Sequence, residues 1–172
     1  MQIRAARTSS DHEIDLIASR MRLTLIEVLG DEAGAALYTL DWLRERVRFH
    51  LDPQQCLAAV FVAESDAGEI IGQSIVRVEP ARPADKAPME NASSAAEEYG
   101  LMSTIYVVPA ARRSGVAEQI VSQVEAWIRA QGLSRAATNA GQHNDKLIRL
   151  FEKRGYTIAL RSGDMVQLSR EV

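Results

Sequence analysis

The stretch Val107–Ala117, VVPAARRSGVA, decides the fold of this chain. It is an apolar extended run that breaks at Pro109 and continues as a basic, glycine-containing entrance to a helix. Because the first N–H groups of a helix lack partners within it and the helix dipole adds positive charge, such an entrance favours an anion. Gly115 lacks a Cβ and lets a phosphate approach the main chain, while Arg112 and Arg113 offer charged donors. Alone, the stretch fits a phosphate site or an ordinary strand-to-helix turn equally well.

Other binding and catalytic motifs fit the sequence less well. A P-loop requires GxxxxGK[ST], but the chain has no Gly-Lys pair, and a Rossmann turn requires GxGxxG, whereas Gly115 stands alone. The serine before it lies in RSG, which is not the GxSxG of a serine nucleophile. The three histidines, His12, His50 and His143, share no ligand spacing with one another or with Cys56. We therefore expect no metal site.

The composition indicates one globular domain over residues 1–172, with 47% hydrophobic and 25% charged residues. A net charge of −3 gives no overall basic field, so we expect no nucleic-acid partner. The single cysteine, Cys56, cannot form an internal disulfide, the first residues lack the apolar run of a signal peptide, and no 18-residue apolar run occurs. These features favour a cytoplasmic protein with no membrane partner.

Hydrophobic spacing and turn residues predict the order of the elements. The first half is expected to hold a strand over 2–7, a helix capped near Ser10 and ended by Gly30, a helix over roughly 33–50, and a hairpin of strands 57–64 and 69–79. The proline-rich residues 80–98 predict a mobile loop, whether functional or simply disordered. The second half is expected to hold a strand over 99–108, a helix from 116 ended by Gly132, a strand over 133–140, a helix from Asn144 to Arg154, and strands 156–160 and 165–168. Trp42 and Trp127 lie on apolar helix faces and are expected in the core. This order predicts a mixed-sheet α/β domain.

Three sequence motifs, taken in this order along the chain, are similar to those of one protein family. RRSGVA at 112–117 fits the pyrophosphate pattern [RQ]xxGx[GA], Asn144 precedes an amphipathic helix, and LFEKRGYTI at 150–158 is similar to the closing motif LYEKxGF. Together they resemble the GNAT superfamily of acyl-coenzyme A (acyl-CoA) dependent N-acetyltransferases, closely over 99–160 and by topology before that. The resemblance implies a mixed, mainly antiparallel central sheet of six to seven strands flanked by about four helices.

The resemblance also implies the residues that bind acetyl-CoA. Backbone amides of residues 113–118 would hold its diphosphate, and the main chain of Tyr106 and Val107 would pair with the pantetheine arm as an added strand. Asn144 would face the pantetheine or the adenosine-side phosphates, or simply cap its helix. The implied donor-site residues are Tyr106, Val107, Arg112, Arg113, Ser114, Gly115, Val116, Ala117, Glu118, Asn144 and Phe151.

The implied reaction transfers an acetyl group from acetyl-CoA to an amine of a small molecule or a protein. An amine with a pKa of about 10.4 is mostly protonated at pH 7, and deprotonating it costs about 4.6 kcal/mol. Glu97 and Glu98 are the nearest candidates for a base acting through water, although a solvated pair at a loop end fits them better. Tyr106 is a further candidate polar group near the thioester, or a packed strand tyrosine. Phe151 replaces the tyrosine that the family commonly uses as an acid, which leaves transfer dependent on positioning and carbonyl polarisation.

Two other functions stay open from the sequence. The same fold could bind acyl-CoA as a regulatory domain with little turnover, and the replacement of the usual tyrosine by Phe151 leaves this function open. The Arg112 region could instead bind phosphate or nucleic acid, in which case binding to polyanions would depend strongly on salt. The resemblance allows a homodimer, and the acceptor amine cannot be read from the residues.

Overall fold

The structure, a computed structural model, describes residues 1–80 and 98–172. These residues form a mixed α/β fold of seven strands and five α-helices. The strands are β1 (Gln2–Ala5), β2 (Ala58–Glu64), β3 (Ile70–Pro80), β4 (Glu98–Val107), β5 (Arg135–Gly141), β6 (Thr157–Ser162) and β7 (Met165–Glu171). The helices are α1 (Asp11–Leu29), α2 (Asp31–Leu37), α3 (Leu40–Leu51), α4 (Val116–Ala130) and α5 (Asp145–Glu152).

The seven strands make one open sheet in the order β1-β2-β3-β4-β5-β7-β6. The β1–β2, β2–β3, β5–β7 and β6–β7 pairs are antiparallel. The β4–β5 pair is parallel and registers Gly100–Met102 with Ala136–Thr138. The expected mixed, mainly antiparallel sheet of six to seven strands is therefore confirmed. The expected loop over 80–98 lies almost wholly outside the described residues.

The chain divides into two compact units, of which the first comprises Met1–Arg77 and Ser103–Val124. Its core forms where the apolar face of α1 and α3 packs on β2 and β3, and it includes Ile17, Leu43, Val62 and Ile75. On β3, Gly72 admits a close approach, because a Cβ there would lie 2.9 Å from Cδ1 of Ile120 in α4. Small and β-branched residues at these positions thus hold helices tightly against the strands.

The second unit comprises Val78–Met102 and Glu125–Val172. Phe151 of α5 is fully buried and packs edge-to-face on Tyr156, with 4.9 Å between ring centroids. The buried carboxylate of Glu125 accepts hydrogen bonds from Nη2 of Arg154 at 2.7 Å and from the Tyr156 hydroxyl at 3.2 Å. Burial raises the pKa of Tyr156, and the nearby Glu125 charge adds to this, so its hydroxyl stays a donor. The ion pair of Glu125 and Arg154, with the added bond from Tyr156, therefore links α4 to the residues that follow α5.

The prediction of one helix over roughly 33–50 is wrong, because the chain leaves helical geometry at Tyr38 and Thr39. Thr39 caps α3 by accepting a hydrogen bond from the Trp42 amide at 3.1 Å. Periodicity did not reveal this break, since apolar spacing continues across it. The break turns Trp42 outward: its side chain is 45% exposed and stacks on Tyr38 with ring centroids 4.0 Å apart. The prediction that Trp42 lies in the core is therefore also wrong, while Trp127 is half-buried.

Candidate active site

The loop after β4 has a backbone shaped by two residues with positive φ. Pro109–Ala111 form a 3-10 turn after the strand, Arg113 has φ +66° and Gly115 has φ +82°. Among the described residues, Arg113 is the one non-glycine residue with positive φ. Left-handed residues interspersed in such a turn direct successive N–H groups to one side, which is the arrangement of anion-binding concavities. The loop therefore has the backbone geometry of an anion site.

The start of α4 supplies further amides to the same region. The first intrahelical bond of α4 runs from the Gln119 amide to the Gly115 carbonyl at 3.1 Å, so the preceding amides have no intrahelical acceptor. A Cβ at Gly115 would lie 3.5 Å from Oε2 of Glu118, so this carboxylate lies beside the helix start. Ser114 closes the loop by donating its hydroxyl to the Ala111 carbonyl at 2.7 Å. Local hydrogen bonds within the protein therefore hold the conformation of this loop.

Arg112 is held by three groups of the first unit. Its Nε donates to the Val107 carbonyl at 2.9 Å, its Nη2 donates to Oε1 of Glu27 at 2.7 Å, and its guanidinium lies 5.7 Å from the Tyr106 ring centroid. These contacts tie the loop to the end of β4 and to α1. The role of Arg112 and Arg113 as charged donors to phosphate stays a prediction. In Arg112, Nε and Nη2 already bond within the protein.

Tyr106 is contacted by two guanidiniums. The residue is 8% exposed, and the Cζ atoms of Arg20 and Arg112 each lie 5.7 Å from its ring centroid. Cation–π contacts of this kind orient the ring. Val107 is also buried, and its carbonyl already accepts the bond from Arg112.

The other two donor-site candidates belong to the second unit. Asn144 is the N-cap of α5, and its Oδ1 accepts a hydrogen bond from the Leu147 amide at 3.2 Å. This is the capping role expected for asparagine at that position. Phe151 is fully buried in that unit.

The two acidic candidates are placed differently. Glu98 is the first residue of β4 and is exposed. Glu97 lies outside the described residues. As the exposed first residue of the strand, Glu98 is in contact with solvent.

Two contacts on α1 and one pair after α3 were not predicted from the sequence. Arg20 of α1 lies over the Tyr106 ring, and Glu27 of α1 accepts a hydrogen bond from Arg112. His50 and Cys56 have no ligand spacing in the sequence, but Nδ1 of His50 lies 3.7 Å from Sγ of Cys56. The spacing gave no signal, because the contact requires α3 to end and the chain to turn between them. Among the described residues, no three His, Cys, Asp or Glu side chains group as they would around a metal ion.

The sequence profile described as the acetyltransferase (GNAT) family matches residues 24–156. The chain therefore belongs to the GNAT family. Its class is that of acyltransferases that use acyl-CoA, and at the family level the activity is N-acetyl transfer. No curated protein matches the sequence at a significant level.

Solved structures agree on the fold. The ribosomal-protein-alanine N-acetyltransferase from Brucella melitensis superposes with a TM-score of 0.70 at 14% identity, covering 100% of both chains. Naa20 from Chaetomium thermophilum, in complex with a bisubstrate analogue, gives 0.66 at 17% identity, covering 100% of this chain and 87% of the other. The NatC complex bound to Gag peptide and CoA gives 0.71 at 16% identity, covering 100% and 99%. At such identities the likeness shows a shared fold.

None of the helices in residues 1–80 and 98–172 is both long and apolar enough to cross a bilayer.

Proposed function

We propose that this protein transfers an acetyl group from acetyl-CoA to an amine of a small molecule or a protein, by direct attack in a ternary complex. The observation that carries the proposal is the loop from Pro109 to Gly115, whose two positive-φ residues lead into the start of α4 directly after β4, a backbone geometry suited to an anion. The family match supports an acyl-CoA donor, and the NatC complex of similar fold is bound to CoA.

The donor is proposed to bind along the end of β4. Its diphosphate lies on the amides of residues 113–118, and its pantetheine amides pair with the main chain of Tyr106 and Val107. Support comes from the strand register: among the described residues, the β4 residues paired with β5 are Gly100 to Met102, so Tyr106 and Val107 lie beyond that pairing. The family resemblance adds Asn144 and Phe151 as predicted donor contacts.

In the proposed reaction, the neutral amine nitrogen attacks the thioester carbonyl carbon, the C–S bond breaks and the thiolate of CoA departs. The nitrogen loses one proton to water or to a base, for which Glu97 and Glu98 are the candidates, with Tyr106 as a further polar group. A thiol has a pKa near 8.5, so the thiolate leaves with little need for an acid. Phe151 in place of a tyrosine is compatible with this step. Positioning and polarisation of the carbonyl would supply most of the rate.

A regulatory acyl-CoA-binding domain of the same fold is the second candidate. Phe151, which has no hydroxyl and is fully buried, favours it, as does the exposure of Glu98. Such a protein would bind acetyl-CoA without releasing free thiol.

We further propose that residues 1–172 act as one cytoplasmic catalytic domain.

Thiol release from acetyl-CoA, measured against a panel of amines and amino-terminal peptides, distinguishes the two candidates. An acetyltransferase releases thiol with at least one acceptor and yields a product heavier by one acetyl group. Bound acetyl-CoA without thiol release from any acceptor supports the regulator instead. Where turnover occurs, Glu97→Gln and Glu98→Gln should flatten the rise of rate with pH, and an unchanged profile removes both from the role of base.

A further inference from the structure

The first unit contains a cavity of about 590 Å³ beside α1 and the β2–β3 turn. Its charged wall residues are Arg4, Arg7, Glu13, Arg20, Glu64 and Glu69. Leu16, Ile70, Ile71 and Val108 provide apolar wall. None of the residues proposed above for the donor or for catalysis lines it. A volume of this size suits a small organic molecule.

Most charges of the cavity are already matched. Nη2 of Arg4 lies 2.8 Å from Oε1 of Glu13 and 2.6 Å from Oε2 of Glu64. Glu13 also accepts a bond from the Arg7 amide at 2.7 Å. Burial tends to raise the pKa of Glu13, but the bonds from Arg4 and Arg7 outweigh it and lower that pKa below the ordinary value. Glu13 and Glu64 are thus committed to the protein's own cations.

Arg20 is different. It is 8% exposed, and its Nη2 donates to the Ile70 carbonyl at 2.6 Å. Its buried Nη1 has no hydrogen-bond partner, and no carboxylate in residues 1–80 or 98–172 forms an ion pair with it. A buried cation without a counter-charge costs free energy, because neither water nor an anion offsets its desolvation. Arg20 therefore adds to the cavity wall a positive charge that none of the wall carboxylates pairs with.

We propose that this cavity binds a small organic monocarboxylate with an apolar body, whose carboxylate pairs with Arg20. The carboxylate supplies the acceptor that Nη1 lacks, and Leu16, Ile70 and Ile71 contact the apolar body. A single negative charge on the ligand is enough to pair with the Arg20 guanidinium. The carboxylates of Glu13, Glu64 and Glu69 would repel a doubly charged phosphate more strongly.

Ligand-observed NMR titrations test the site with benzoate, benzyl alcohol and inorganic phosphate. We expect saturable binding of benzoate, and binding at least about tenfold weaker for benzyl alcohol and phosphate. Arg20→Gln should weaken benzoate by at least about tenfold. Arg22→Gln is the matched control, since Arg22 lies on the same helix, donates to a single carbonyl, that of Ala35 at 3.0 Å, and does not line the cavity. It should leave benzoate binding unchanged.

Two further variants keep the test decisive. If Arg20→Gln does not fold, His12→Glu replaces it: His12 is exposed, lines the cavity and is the second residue of α1, where an acidic side chain suits the helix. It should weaken benzoate several-fold. Gly115→Glu, which blocks the donor loop, should leave benzoate binding intact. The proposal is overturned by the absence of saturable benzoate binding, by equal affinity in wild type and Arg20→Gln, or by loss of binding in Gly115→Glu.

Discussion

The side chain of Arg112 fixes the loop after β4. Its guanidinium contacts the Val107 carbonyl, Glu27 and the Tyr106 ring, so it ties the loop to β4 and α1. The sequence pattern showed that an arginine stands there. It could not show this role, because the Glu27 partner lies 85 residues away along the chain.

Glu118 gives a prediction at this scale. Its carboxylate lies beside the start of α4, where it interacts favourably with the helix dipole and would repel the diphosphate proposed to bind there. Glu118→Gln should therefore tighten acetyl-CoA binding by about two- to fivefold, the equivalent of about 0.3–1 kcal/mol. Titration calorimetry at low and high salt measures this, and the gain should shrink with salt. Glu32→Gln, in the first turn of α2, is the matched control and should change nothing. Unchanged or weaker binding in Glu118→Gln contradicts the placement of the diphosphate.

Helices and strands were largely predictable where capping and turn residues mark their ends. The predicted ends of elements are found at the N-caps Ser10 and Asn144, at the C-cap Gly30 and at the β2–β3 turn. The division between α2 and α3 was not predictable from periodicity, since it depends on Thr39 capping a second helix within a continuing apolar pattern. The exposed stack of Tyr38 and Trp42 follows from that break.

Thr39 gives a prediction at the scale of the element. Thr39→Ala removes the side-chain acceptor for the Trp42 amide and should lower the free energy of unfolding by about 1 kcal/mol. Thr39→Asn supplies another acceptor and should retain most of the wild-type stability. Urea unfolding followed by circular dichroism measures both. Thr24→Ala serves as control, because Thr24 bonds a carbonyl within α1 and caps nothing. It should stay within about 0.5 kcal/mol of wild type. A similar loss in both alanine variants would contradict the assignment of the cap.

The stability of the whole molecule should depend on pH through a buried histidine. Burial, with the charges of Arg46 and Arg77, lowers the pKa of His50 to about 4. The unfolded chain, with a pKa near 6.5, binds the proton more readily, so neutral His50 contributes fully above pH 6.5 and its contribution is lost as pH falls to about 4. The full change is about 3 kcal/mol.

Urea unfolding at several pH values tests this dependence. His50→Gln should reduce the slope of unfolding free energy against pH between about 4 and 6.5, whatever its absolute stability. His143→Gln, at an exposed position, should keep the wild-type slope. Equal slopes of unfolding free energy against pH in His50→Gln and wild type would show that folding does not lower the pKa of His50.

In the proposed function, the loop before α4 holds the diphosphate of acetyl-CoA. The most direct measurement is calorimetric titration of acetyl-CoA into wild type, Gly115→Glu and Gly132→Glu. Both glycines have positive φ, +82° and +77°, at the two ends of α4, so both substitutions carry backbone strain. Only the first places a carboxylate at the proposed anion site. We predict saturable binding to wild type and Gly132→Glu, with affinity at least about tenfold weaker in Gly115→Glu. Equal affinity for acetyl-CoA in all three proteins would contradict the placement of its diphosphate on this loop.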